Sequence, residues 1–185
     1  MNKSVRKSRE PLVIGVVLVI VTIAIFFQVR TFEFITYDDP SYVTENTHVQ
    51  SGISTNNIVW AFTSSYANNW HPLTWLSLML DCQLFGVNSH AMHLTNLFLH
   101  TANTVFLFIL LFRITGALWS SAFVAAVFAI HPLHIQSVAW IAERKDVLST
   151  LLWLLTMLIY VRYTERLSPA KYIFTLFVFA LGNRL

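Results

Sequence analysis

An uncharged run from Leu12 to Phe27, LVIGVVLVIVTIAIFF, constrains this chain more than any other feature of its sequence. A bilayer's hydrocarbon core accepts a helix of about 20 such residues, because every backbone polar group is satisfied within the helix. A basic leader with Lys3, Arg6, Lys7 and Arg9 precedes the run, as it would in a secretory signal. No small-residue cleavage site follows, however. The chain continues Gln28-Val29-Arg30-Thr31-Phe32-Glu33, so the run reads as an uncleaved first span. Composition agrees over all 185 residues: 56% are apolar and 11% charged, where a soluble domain carries roughly 25% charge. This excludes a disordered chain and a disulfide-stapled domain, since the single Cys82 has no partner. The net charge of +3 comes without a long basic run, so nucleic acid is excluded as a partner.

The sequence therefore predicts an all-α polytopic membrane protein. A leader over 1–11 and a first transmembrane helix over 12–28 are followed by a loop over 29–92. Further spans are expected at about 93–112, 115–131, 146–163 and 172–185. The third, ALWSSAFVAAVFAI, is rich in the small residues that let helices approach closely in lipid. Arg113, Arg162, Arg166 and Lys171 join the leader's cations on one side, while Glu33, Asp38, Asp39, Glu45, Asp81, Glu143 and Asp146 fall on the other. That asymmetry places the N-terminus in the cytoplasm and the acidic segments outside.

An outer loop this long is usually functional. Ser54 or Thr55 is positioned to cap a short helix through Ile58, Trp60 and Phe62, and Pro72 opens a better one, LTWLSLMLDCQLF, ended by Gly86. That second helix is apolar nearly all round apart from Asp81, with Trp70 and Trp75 near its start, and is expected to be re-entrant or to lie at the membrane surface; a sixth span is the alternative, which would break the charge asymmetry.

Four groups of residues are candidates for chemistry. The adjacent carboxylates Asp38 and Asp39 repel each other, which raises at least one pKa and suits a general base or a divalent cation. A solvated turn before Pro40 is the plain alternative. His71, in Asn69-Trp70-His71-Pro72, sits at a helix start that favours anions; it reads equally as an interfacial cap. The segment from His131-Pro132-Leu133-His134 to Glu143-Arg144-Lys145-Asp146 holds the outer side's adjacent cations, which suit a lipid-linked phosphate. His131 and His134 could ligate a metal but are more simply structural. Finally His93, Asn96, His100 and Asn103 share one face of the second span. Interhelical hydrogen bonding suits the asparagines, and His93 is the best functional candidate of the four. There is no P-loop, dinucleotide glycine pattern or Cys/His zinc cluster. No cofactor is required by the sequence, while a divalent metal at Asp38 and Asp39 stays open.

The stretches YDDPSYVTEN, NNWHPLTWLSLMLDCQLFG, HLTNLFLHTANTVFLF and HPLHIQSVAWIAERKDVLSTLLWLL resemble the GT-C class of membrane glycosyltransferases. They are more similar still to its protein O-mannosyltransferase-like branch with C-terminal tetratricopeptide repeats, and to bacterial relatives. The resemblance covers nearly all of the chain from Tyr37 onward. It implies the N-terminal part of a GT-C-like bundle, since such proteins continue through a Lys-Pro segment, more spans and the repeats. It further implies transfer of a sugar, typically mannose, from a polyprenyl-phosphate carrier to a protein Ser or Thr hydroxyl. The catalytic carboxylate maps onto Asp38, with Asp39 beside it. The carrier phosphate maps onto Arg144 and Lys145, with Glu143, Asp146, His131, His134 and His93 near the substrate and His71 at the family's His-Pro element. The bilayer is the bacterial inner membrane, or the endoplasmic reticulum in a eukaryote. Two alternatives remain at this level: a non-catalytic membrane scaffold or assembly subunit, and a metal or proton transporter using the histidines. Against the transporter, the spans carry no acidic residue at mid-membrane depth.

Overall fold

In a computed structural model, residues 9–182 are described, so Lys3, Arg6 and Lys7 of the charge argument and the end of the last expected span, 183–185, lie outside the described residues. Those described fold into helices without strands. Helix α1 (Glu10–Phe26) starts with Pro11 in its first turn and Glu10 against the positive end of its dipole, and a 3-10 turn (Phe27–Thr31) extends it. A wide π turn at Pro40–Thr44 and a short helix α2 (Thr47–Gln50) follow. Then come α3 (Thr55–Thr63), α4 (Pro72–Phe85), α5 (Ser89–Thr115), α6 (Leu118–Ile130), α7 (His134–Ala139), α8 (Arg144–Glu165) and α9 (Pro169–Gly182).

The expected punctuation is present. Ser54 caps α3 by accepting from the Asn57 amide at 3.2 Å. Pro72 opens α4 and Gly86, at φ +70°, ends it. Gly116 closes α5 in the left-handed region, where its amide donates to the Phe112 carbonyl. What periodicity alone missed is the stretch before α3. Asn46, whose side chain accepts from the Val49 amide, caps α2, and four residues are too few to show a helical pattern.

Helix α5 is the axis of the bundle and packs on α1, α6 and α8, with α9 laid against α8. Three stretches are long and apolar enough to cross a membrane: Glu10–Thr31, Ser89–Thr115 and Ile141–Glu165. Five spans were expected. At 13 and 14 described residues, α6 and α9 are apolar but shorter than the roughly 20 residues a crossing needs. Conversely α5, at 27 residues, starts four residues earlier than expected and is about 40 Å long. The small face of α6 is used inside the chain, where Ala125 packs with Leu18 of α1 and Phe108 of α5 and Ser121 and Ala129 are buried.

Helices α2, α3 and α4 form a cap over the end of the bundle that carries the first turns of α5 and α8. Tyr42, Val43, Val49, Trp75, Leu78, Met79, Met92 and Ile141 make its core. One ion pair crosses this core. Arg144, at the start of α8, is wholly buried and bonds Asp81 of α4 at 2.5 Å. Its remaining donors go to Asn96 Oδ1 at 2.7 Å, the Met92 carbonyl at 2.8 Å and Ser77 Oγ at 3.1 Å. Thr95 donates to the other Asp81 oxygen. Four of the five guanidinium N–H groups are thus engaged, and three helices are joined by one side chain.

Removing one member strands a charge in an apolar core, which costs about 3–5 kcal/mol. Arg144→Lys also loses, because a single ammonium cannot reach four acceptors spread over two helices. Both Asp81→Asn and Arg144→Lys are therefore expected to lower the thermal midpoint of the detergent-solubilised chain steeply, as read by loss of the monodisperse peak after heating.

Candidate functional site

The Asp38-Asp39 turn lies where the strand of chain after α1 meets the cap, and its two carboxylates part company there. Asp39 is fully buried. One oxygen accepts the Ile35 amide at 2.8 Å and the other the Ala142 amide at 3.2 Å, so it ties the loop to the 3-10 turn (Ile141–Glu143) before α8. Burial pushes the Asp39 pKa above the usual carboxylate value, with the two amides opposing. The repulsion from Asp38 expected from sequence is present but is the smallest cause. Asp38 itself is half-exposed.

Beside this turn an aromatic cluster surrounds His71. Its ring stacks on Tyr42 at 5.4 Å and 19°, and meets Trp75 at 4.7 Å. Asn69 Nδ2 donates to the Tyr42 hydroxyl at 3.4 Å. Burial, aided by the positive charge of Lys145, lowers the His71 pKa to about 4, so the ring is neutral at pH 7. Burial raises that of Tyr42, where Lys145 acts in the opposite direction and the charges of Asp38 and Glu143 add to the rise. His71 Nε2, Thr74 Oγ1 and Trp75 Nε1 are buried without hydrogen-bond partners. Each is a buried polar atom left unpaired, which carries its desolvation cost uncompensated. Lys145 pairs with Glu143 at 3.3 Å and keeps a third of its side chain exposed. Five ionisable side chains from three distant parts of the sequence (Asp38, Tyr42, His71, Glu143 and Lys145) therefore share one electrostatic neighbourhood.

The structure separates the two cations that the sequence had paired. Lys145 faces this neighbourhood, whereas Arg144 points the other way into the cap core, so its placement at the membrane surface is corrected. A cation on a helix opposite successive side chains had two directions to choose from, and the Asp81 carboxylate fixed the choice. His93, the functional candidate of the α5 face, is enclosed as well. It is fully buried, edge-on to Phe32 at 6.0 Å and beside the Glu33 main chain, with neither ring nitrogen in a well-formed hydrogen bond. Asn96 and Asn103 make the expected interhelical bonds, to the Trp140 and Val147 carbonyls.

His131, His134 and Asp146 lie apart from His71. The exposed His131 accepts from the Leu133 amide at 3.3 Å, and His134 packs on Phe128 at 4.4 Å. Burial, then the charge on His131, lowers the pKa of His134. Asp146 accepts from Ser137 Oγ at 3.2 Å. Among the described residues no three His, Cys, Asp or Glu side chains converge to hold a metal ion. Asp81 and Tyr42 are what sequence reasoning missed. A carboxylate on an otherwise apolar helix must be paired when buried, and Arg144 was the cation out of place.

An α-helical membrane bundle whose capped end gathers a half-exposed carboxylate, a neutral histidine and a lysine is the class defined by this geometry. Comparison with curated proteins narrows it. The chain is 36% identical over 104 residues to protein O-mannosyl-transferase TMTC1 of Mus musculus, covering 56% of this chain and 11% of that protein. It is 30% identical over 135 residues to protein O-mannosyl-transferase Tmtc2 of Drosophila melanogaster, covering 69% of this chain and 14% of that protein. With protein O-mannosyl-transferase TMTC3 of Homo sapiens it shares 27% identity over 133 residues, 68% and 14% of the two chains. These similarities support the O-mannosyltransferase-like family and a glycosyltransferase of that kind. The chain spans 11% to 14% of the length of these relatives. No family model and no solved structure matches it.

The His71 shift sets a pH dependence. A histidine whose folded pKa lies below its unfolded value contributes stability that is complete above about pH 6.5 and is lost as pH falls toward 4. Between pH 7 and 5.5 the cap should lose on the order of 1 kcal/mol from this group. The fluorescence of the buried Trp75 is expected to shift red over that interval, and His71→Gln to remove that part of the change.

Proposed function

We propose that this chain carries the acceptor-activating part of a glycosyltransferase of the GT-C kind, acting on the outer or lumenal face of the membrane with its N-terminus in the cytoplasm. The observation that supports the reading is the grouping of Asp38, His71 and Lys145 at the capped end. Asp38 is the carboxylate left open to solvent, and it takes the proton from an acceptor Ser or Thr hydroxyl as that oxygen attacks the anomeric carbon. The donor is a sugar, mannose by likeness to the named relatives, on a polyprenyl phosphate whose tail lies in lipid. The bond from the anomeric carbon to the phosphate oxygen breaks, and Lys145 stabilises the charge that develops there. Neutral His71, buried between Tyr42 and Trp75, packs behind this group without adding a positive charge beside Lys145.

In this reading Asp39 and Arg144 are positioning residues. Asp39 holds the Asp38 turn to the start of α8, and Arg144 fixes the turn of α8 that presents Lys145. A divalent metal, if one takes part, would meet Asp38, since both Asp39 oxygens already accept main-chain amides. The bacterial inner membrane or the endoplasmic reticulum would house the protein, with a protein acceptor as partner. A non-catalytic scaffold is the contrasting outcome. Its expected association face, the small residues of α6, is already used within the chain.

Removing a general base typically costs 10²–10⁴-fold in rate. In the protein as expressed in cells, Asp38→Asn should reduce sugar transfer by about that factor while membrane insertion and thermal stability stay unchanged. Asp39→Asn should instead lower stability. Full transfer activity in Asp38→Asn would defeat the assignment, and insertion without any transfer activity in the parent protein would favour the scaffold.

A further inference from the structure

Helices α1 and α5 meet differently along their two halves. Nearer the cap they touch directly: Phe26 and Val29 pack with Leu97, and the Phe26 ring stands edge-on to His100 at 5.3 Å. Toward the start of α1 a groove of about 510 Å³ opens between them instead. Leu12, Val16 and Ile20 form one wall, and Val105, Ile109 and Phe112 the other. Phe108, buried with Leu18 of α1 and Ala125 of α6, closes it from behind. Gly15 also lines the groove, and a Cβ there would meet nothing within 4 Å, so the missing side chain is part of the open space.

The length of the groove selects its occupant. From Leu12 to Ile20 α1 rises about 12 Å, as does α5 from Arg113 back to Val105. One leaflet contributes about 15 Å of the hydrocarbon core. Another transmembrane helix would seat along the whole of α1 and α5, yet the half nearer the cap is closed by Phe26, Val29 and Leu97. A fatty-acyl chain running from headgroup level to the midplane needs only one half.

The charge at the open end selects the head attached to that chain. Among the described residues the lining is uncharged except for Arg113. Arg113 is exposed, and among the described residues it makes no ion pair. Arg9 is exposed at the start of α1, while Glu10, the acidic residue at this end, is itself engaged. An arginine at the end of a span extends its head to the interface, where the guanidinium can hold a phosphate through two parallel hydrogen bonds. Basic residues at that depth also attract anionic lipid.

We propose that the groove holds one acyl chain of an anionic phospholipid, drawn from the leaflet at the N-terminal end of α1, with its phosphate on Arg113. The lipid completes the seam between α1 and α5 where side chains leave it open. This site lies at the end of the bundle away from the cap and does not rest on the transfer chemistry assigned to Asp38.

The test is native mass spectrometry of the full chain, delipidated in detergent and titrated with dioleoyl phosphatidylglycerol, dioleoyl phosphatidylcholine or undecaprenyl phosphate. One phosphatidylglycerol is expected to bind about fivefold more tightly than phosphatidylcholine, the scale of one basic residue near an anionic headgroup. Arg113→Gln should erase that preference. Gly15→Phe and Val16→Trp each fill the groove from a position open to lipid, and either should weaken phosphatidylglycerol binding about tenfold or more. Heat stability equal to the parent's before lipid is added shows that a variant has folded. Equal affinity for the two phospholipids, a preference that survives Arg113→Gln, or binding that survives both fillings would overturn the inference. So would undecaprenyl phosphate displacing phosphatidylglycerol at equal or lower concentration, which gives the groove to a carrier chain. A dimer that both fillings dissociate would overturn it too, by giving the groove to a second copy.

Discussion

A guanidinium cannot be left in an apolar core without a counter-charge, and that constraint organises the capped end of this molecule. Arg144 reaches Asp81 on α4, Asn96 and the Met92 carbonyl on α5, and Ser77 on α4 from the first residue of α8. Each contact alone contributes little beyond the desolvation it offsets. Together they fix the rotation of α8 and the height at which α4 sits on α5. The direction of Lys145, the next residue, follows from that rotation, and so does the opposite face with Asp146, Ser149 and Thr150.

Asp39 does for the loop what Arg144 does for the helices. By accepting amides from Ile35 and Ala142, it joins parts of the chain more than a hundred residues apart in sequence and sets Asp38 at the edge of the cap. The two clusters at this end then differ in what they offer. Around His71 the charges are mixed, with a lysine able to meet an anion. Beside His134 stand the Asp146 carboxylate and the Ser137 hydroxyl that donates to it. Glu143 lies between them, against both Lys145 and Asp146.

Much of the fold was legible from sequence because its signals are local. Apolar length marked α1, α5 and α8; Pro72 and Gly86 bracketed α4; Ser54 marked the start of α3 and Gly116 the end of α5. α2 was not legible, since its one capping asparagine precedes only four helical residues. The asparagines of α5 were read as interhelical links, and Asn96 and Asn103 are that. The candidate residues could be listed from sequence, but not where each would sit. Adjacent residues looked equivalent, yet Asp39 and Arg144 are buried while Asp38 and Lys145 stay partly exposed.

The sequence by itself determined that this is an all-helical membrane chain whose candidate polar residues gather between its first and second spans and before α8. Hydrophobic length and charge bias are sums over neighbours, and no partner is needed to read them. Tertiary structure decided which carboxylate is open, which cation is buried, and that Tyr42, His71 and Lys145 meet. Those outcomes depend on which distant group a buried charge finds. Asp81 and Arg144, sixty-three residues apart, could choose each other only once α4 had folded onto the bundle.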